Sequence, residues 1–193
     1  MHRGPVLSML VRYEQRYPEE ADCVHLVRDL VLTHEGCLLR TCRPGHITAS
    51  AWIVTNDRRH FLMTHHRKLD RWLQLGGHVD GEPHPELAAL REAREESGME
   101  DFQLFPTESG EAMPLDVDVH EIGAHKNEPA HLHHDLRFLL VAGAGQSLRI
   151  SHESKDLKWF PTEDLESVVA EENLLRLGLK ARHCLQRQAQ DPG

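Results

Sequence analysis

The 193-residue sequence has no apolar stretch that approaches a membrane span. Its longest, Phe138 to Gly145, falls far short of the roughly 20 residues a spanning helix needs. The first residues lack a signal peptide's apolar core, because Arg12, Glu14 and Arg16 interrupt it early. Positive charge is in deficit. The 22 Lys and Arg against 31 Asp and Glu leave a net charge of −9, which argues against a sequence-independent grip on a nucleic-acid polymer. Cysteine is scarce, and Cys23, Cys37, Cys42 and Cys184 form no C-x2-C pair, which fits reduced thiols in a cytoplasmic protein. There is no internal repeat and no low-complexity tract. The length suits one domain with a core, extended at a terminus. What is abundant is histidine: 16 residues, clustered rather than spread.

The chain is organised around one stretch. Gly76-Gly77-His78-Val79-Asp80-Gly81-Glu82-Pro83-His84 is a glycine-rich loop. The residues after it read as a helix, with Pro85 suiting its first position and Gly98 its stop. Glu92, Glu95 and Glu96 stand three and four residues apart, which puts three carboxylates on one helix face. Leu87, Ala89, Leu90 and Ala93 are left to pack against a core. Like charges at this spacing repel, so something must compensate them. A hard divalent cation, Mg²⁺ or Mn²⁺, takes oxygen ligands and shares them with substrate phosphates.

This stretch resembles the Nudix box, G-x5-E-x7-R-E-U-x-E-E-x-G-U with U an aliphatic residue. Gly77, Arg91, Glu92, Ala93, Glu95, Glu96, Gly98 and Met99 match it in register, while Pro83 stands where the first glutamate belongs and Glu82 lies one place early. The resemblance implies an α/β/α sandwich around a mixed β-sheet. It also implies a metal-dependent hydrolase that cleaves a phosphoanhydride bond in a nucleoside diphosphate linked to another group, or a related phosphorylated small molecule. Glu92, Glu95 and Glu96 become the metal ligands, with the Gly77 carbonyl as a further oxygen, and Arg91 pairs with a box glutamate and fixes its rotamer. The general base is a box glutamate or one from a later loop, for which Glu153 is the candidate. Arg67, Lys68 and Arg71 precede the box, where a phosphate-binding loop is useful; a solvated basic turn is the alternative. Two other function classes stay open, a binding module that has lost turnover and an isomerase.

The rest of the chain frames this core. Residues 1–44 read as a helical hairpin, with Val6, Met9, Leu10, Tyr13 and Tyr17 on one helix and Val24, Val27, Leu30 and Val31 on a second that starts at Pro18. It suits a homodimer contact, a lid or a stabilising cap. Residues 45–165 form the core, with strands near Ile47–Val54, Phe61–Thr64, Phe102–Phe105, Leu115–Ile122, Leu132–Ala142 and Leu157–Phe160. Residues 166–193 supply a closing helix over Glu171–Gln188 and a disordered tail from Gln190.

The histidines carry a second expectation. Isopentenyl-diphosphate isomerase, which shares the Nudix fold, is similar at His46 and at Gly77-His78; there, histidines bind a metal together with acidic side chains from a later strand. Gly76 stands where that isomerase has its catalytic cysteine, and the box is intact here, so the isomerase reading ranks last. Alternate residues on a strand share a face, so His133 and Asp135 point one way, with His131 as a further candidate, and His134 points the other. The expectation is a second site for Zn²⁺, Mn²⁺ or Fe²⁺ built from His46, His78, His133 and Asp135, near the glutamates but distinct from them. The alternative is that these imidazoles hydrogen-bond within a pocket or decorate loops.

Overall fold

Ten consecutive buried residues, Gly45–Val54, form the strand around which the sheet is built. The computed structural model describes residues 2–105, 111–124, 128–152 and 154–190, with backbone alone for 189 and 190. In chain order the elements are α1 (Gly4–Arg16), α2 (Ala21–Thr33), β1 (Gly45–Val54), β2 (His60–His66), β3 (Arg71–Leu73), β4 (Leu75–His78), α3 (Pro85–Ser97), β5 (Phe102–Leu104), β6 (Asp116–Ile122), β7 (His131–Ala142), β8 (Ser154–Pro161), α4 (Leu165–Val168) and α5 (Glu172–Gln190). The second expected helix opens with a 3-10 turn at Pro18–Glu20 before α2 begins. The tail expected to be disordered lies, from residue 191, outside the described residues.

β1 runs parallel to β7 along its whole length, with Gly45 opposite Leu132 and Val54 opposite Val141. Every other pairing is antiparallel, so the eight-stranded sheet is mixed. On its other edge β1 takes β4 and then β2, and β2 carries β3 and β8. β7 takes β6 and β5 on its outer edge.

Alternation along the central strands separates two cores. Ile47, Ala49, Ala51 and Ile53 of β1, with Leu136, Phe138 and Leu140 of β7, pack under α1, α2 and α3. Trp52 and Val54, with Leu139 and Val141, pack under α4 and α5 through Leu165, Leu174, Leu177 and Ala181. This is the α/β/α sandwich. The hairpin helices bury Val6, Met9, Leu10 and Tyr13 from α1 and Val24, Val27, Leu30 and Val31 from α2 in the same cluster as Ile47, Ala88 and Phe138. Burial of a large apolar side chain contributes about 1.5–3 kcal/mol, so the hairpin's gross share is on the order of 10–20 kcal/mol. That matches the whole net stability of a typical domain, about 5–15 kcal/mol, so the hairpin is built into the core. No helix among the described residues is long and apolar enough to cross a membrane, and none of the four cysteines is in a disulfide.

Candidate active site and imidazole cluster

β4 delivers the box loop to the sheet, with Gly77 opposite Ala49 and His78 opposite Thr48. The chain then turns through Asp80 and Gly81, at φ 51° and 89°, into α3, whose first turn holds Pro85. Glu82, the residue one place early, turns its carboxylate back on this loop and accepts the His84 amide at 3.0 Å. The buried face of α3 is made of small residues, Ala88, Ala89, Ala93 and Ser97, so the helix lies close on β1 and β4. Gly98 ends it in the left-handed region at φ 71°, where its amide donates to the Arg94 carbonyl at 2.9 Å.

This close approach seats a carboxylate over the loop. A Cβ on Gly77 would fall 2.7 Å from the carboxyl carbon of Glu92, so only glycine fits beneath it. Arg91 holds the arrangement, donating from Nη2 to the His78 carbonyl at 2.6 Å and to Glu92 Oε1 at 2.7 Å. Its Nε lies 3.9 Å from Glu95. Burial opposes the charge of this guanidinium, but Glu92 and Glu95 hold its pKa above the ordinary value. Glu92 is 15% exposed and Glu95 64%, with Glu96 half-buried one turn beyond Glu92. Glu92, Glu95 and Glu96 offer oxygen alone, the donor type that a hard divalent cation takes.

The basic residues before the box have other partners. Arg67 donates to the carbonyls of His152 at 3.0 Å and Ser154 at 2.8 Å, so its fork grips the loop on either side of residue 153. Arg71 pairs with Glu171 at 2.9 Å, and Lys68 is exposed in the turn between β2 and β3. Two of the three cations expected to bind phosphate are thus occupied by the protein itself. Glu153 lies outside the described residues.

The opposite face of the sheet gathers the histidines. The β1–β7 register sets His46 opposite His133, and β6 sets His120 opposite His133 as well. The His46 ring centroid lies 5.0 Å from that of His78, 5.0 Å from His131 and 4.8 Å from His133. His46 is 1% exposed, and neither of its ring nitrogens has a hydrogen-bond partner. A buried polar group without a partner costs roughly 1–3 kcal/mol. Burial first, and the neighbouring imidazoles second, push the pKa of His46 down to about 4 and that of His133 to about 2. Burial likewise lowers that of His78. These rings are neutral, each with a nitrogen lone pair to offer.

Asp135 does not stand with them as expected. It shares their face, but its oxygens accept from Thr48 at 2.9 Å, Ser50 at 2.7 Å and Arg137 Nε at 3.0 Å, which leaves little lone-pair capacity for an ion. His131 takes the place foreseen for it, with ligand atoms of His46, His131 and His133 all within 4.8 Å of one another. Sequence reasoning missed the network beyond. Arg137, 2% exposed, also donates to Asp116 at 3.2 Å and Asp118 at 2.8 Å. From α5, Arg176 reaches both aspartates and Lys180 reaches Asp116 and the Tyr13 hydroxyl. Burial alone raises the Asp118 carboxyl, but His120, Arg137 and Arg176 hold it well below the usual carboxylate range. The signal was present in β6, where Asp116, Asp118 and His120 alternate along one face.

Comparison with known proteins places this geometry. The family model of the NUDIX domain matches residues 44–182. A Clostridium perfringens structure described as a hydrolase of the NUDIX family is 28% identical, with a TM-score of 0.55, covering 74% of this chain and 97% of that one. A Caenorhabditis elegans Ap4A hydrolase is 19% identical, with a TM-score of 0.56 and coverage of 73% and 98%. The Escherichia coli dihydroneopterin triphosphate pyrophosphohydrolase is 18% identical, with a TM-score of 0.54 and coverage of 73% and 97%. At such identities these last two share the fold alone. No protein with a curated function matches the sequence. With the box residues from Arg91 to Met99 in register, the Glu92 carboxylate seated over Gly77 and the family match spanning the whole sheet, α3, α4 and much of α5, the chain belongs to the NUDIX domain family.

Proposed function

We propose that this Nudix hydrolase cleaves a phosphoanhydride bond in a nucleoside diphosphate linked to another group, or in a related small pyrophosphate. In this reading Glu92, Glu95, Glu96 and the Gly77 carbonyl hold Mg²⁺ or Mn²⁺. The observation that carries it is the Glu92 carboxylate seated over Gly77 and pinned by Arg91, on one helix with two further carboxylates. When bound, such an ion neutralises charge on the phosphates and lowers the barrier to attack by water. The protein's own residues supply the rest. Arg91 fixes the Glu92 rotamer and, through the His78 carbonyl, keeps helix and loop in one register. Two carboxylates compete for the role of base, a box glutamate and Glu153. Arg67 grips the chain on both sides of residue 153 and sets the course of that loop. Of the three basic residues before the box, Lys68 is the exposed cation left as the candidate phosphate ligand, since Arg67 and Arg71 are engaged by the protein itself.

The test is a Mg²⁺-supplemented screen of nucleoside triphosphates, nucleotide sugars, ADP-ribose, Ap4A, dihydroneopterin triphosphate and coenzyme A. Products are identified by mass. Release of a phosphate or nucleoside monophosphate that chelator abolishes is expected for at least one of them. Tight binding without turnover across the panel would favour a binding module. Glu153→Gln then assigns the base: a large fall in kcat places it on Glu153, and an unchanged kcat places it on the box.

A further inference from the structure

We propose that His46, His131 and His133 form a transition-metal site on the α5 face of the sheet, for a divalent ion of the Zn²⁺ or Fe²⁺ class. It is separate from the glutamates of α3 and does not rest on the hydrolase reading. Three observations converge on it. First, the three side chains offer ligand atoms within 4.8 Å of one another. An ion with Zn–N distances of about 2.0–2.1 Å needs its nitrogens about 3.4 Å apart, so loading draws the rings together by at most about 1.4 Å. Second, His46 is 1% exposed with both ring nitrogens unpartnered, and its ring is surrounded by those of His78, His131 and His133. Third, the His131 Nδ1 lies 2.9 Å from the Pro129 carbonyl. A carbonyl can only accept, so Nδ1 carries the proton and Nε2 keeps its lone pair, the outer-sphere arrangement that orients metal-binding histidines.

The chemistry of the set selects the ion. Two carboxylates on the same face are taken: Asp135 by Thr48, Ser50 and Arg137, and Asp118 by His120, Arg137 and Arg176. The three grouped ligands are all imidazole nitrogen, which suits Zn²⁺ or Fe²⁺ far better than Mg²⁺. All three ligands come from β1 and β7, so the ion joins the two parallel strands at the centre of the sheet. The His78 ring stands beside the set, 5.0 Å from His46 and 5.5 Å from His133.

The experiment uses the full chain without a polyhistidine tag, stripped by chelator and titrated with Co²⁺. Visible d–d bands that saturate at one equivalent, and are displaced by Zn²⁺, are expected. His131→Asn and His133→Asn should weaken this by at least about 100-fold, while Glu92→Gln with Glu96→Gln should leave it in place. Bands that survive both histidine changes, or vanish with the glutamate changes, would overturn the site. Should the histidine variants fail to fold, the wild-type titration decides: no bands at one equivalent or at a large excess of Co²⁺ overturns it equally.

Discussion

Thr48 and Ala49 are neighbours on β1, and the two faces they look onto handle charge in opposite ways. On the α3 side the carboxylates ride on a helix with open surroundings; Glu95 is 64% exposed, and one arginine, Arg91, organises Glu92 and reaches towards Glu95. On the α5 side Asp116 is 0% and Arg137 2% exposed, and Asp116, Asp118 and Asp135 are each matched by a guanidinium, joined at Asp116 by an ammonium and at Asp135 by hydroxyls. The first arrangement presents carboxylate oxygen on a helix face, the donor type a hard ion takes. The second spends its carboxylate lone pairs internally and holds the sheet to α5, leaving imidazole as the free donor beside it. The lesson is that a carboxylate's availability is set by burial and by its cations, rather than by its charge.

The largest effect that would sharpen this contrast is on the α3 side. Glu96→Gln removes a charged oxygen while keeping shape, and should lower kcat by about two to four orders of magnitude with a small change in stability. Near-normal turnover in a well-folded variant would remove Glu96 from the ligand set. Arg137→Met is the counterpart on the α5 side. It takes the shared guanidinium from three buried aspartates and leaves Asp135 with only the hydroxyls of Thr48 and Ser50, so urea unfolding should register a loss of about 3–5 kcal/mol. Turnover per folded molecule should stay within about threefold, because separated sites act independently. Lost turnover at intact stability would show that the two faces are one site.

Gly77→Ala tests the seat beneath Glu92. The added Cβ, 2.7 Å from that carboxyl carbon, must displace it, and Mg²⁺ affinity should fall by roughly 10–100-fold as measured by activation curves. Unchanged activation would mean that Glu92 does not depend on this contact. The smallest effect concerns acid. The folded pKa of Asp118 lies below its unfolded value of about 3.9, so its stabilisation is complete above about pH 5 and is lost as pH falls through and below 4. The stability gap between wild type and Asp118→Asn, followed by thermal unfolding, should therefore be constant above about pH 5 and shrink towards pH 3. A gap that stays the same at pH 3 would deny the ion pairing.

Local rules made much of this legible from the sequence alone. The helix from Pro85 to its stop at Gly98, the two N-terminal helices and six of the eight strands follow from periodicity and from proline and glycine placement; β3 goes unread and β4 takes the start of the stretch read as a glycine-rich loop, because pairing with β2 and β1 makes them strands. The same locality put Glu92, Glu95 and Glu96 on one helix face. Only the tertiary structure decided what each polar side chain would meet. Asp135 carried the right face in its alternation, but its partners Thr48 and Ser50 lie 87 and 85 residues away. Arg67 reads as a phosphate ligand until β2 pairs with β8 and brings the carbonyls of His152 and Ser154 to its fork. His46 meets His133 only because β1 and β7 pair in parallel in one register, and a slip of one residue would have turned those rings to opposite faces. A sequence declares which groups can donate and accept; the lone pairs are then allotted by neighbours that distant segments supply, and that competition exists only in the folded chain.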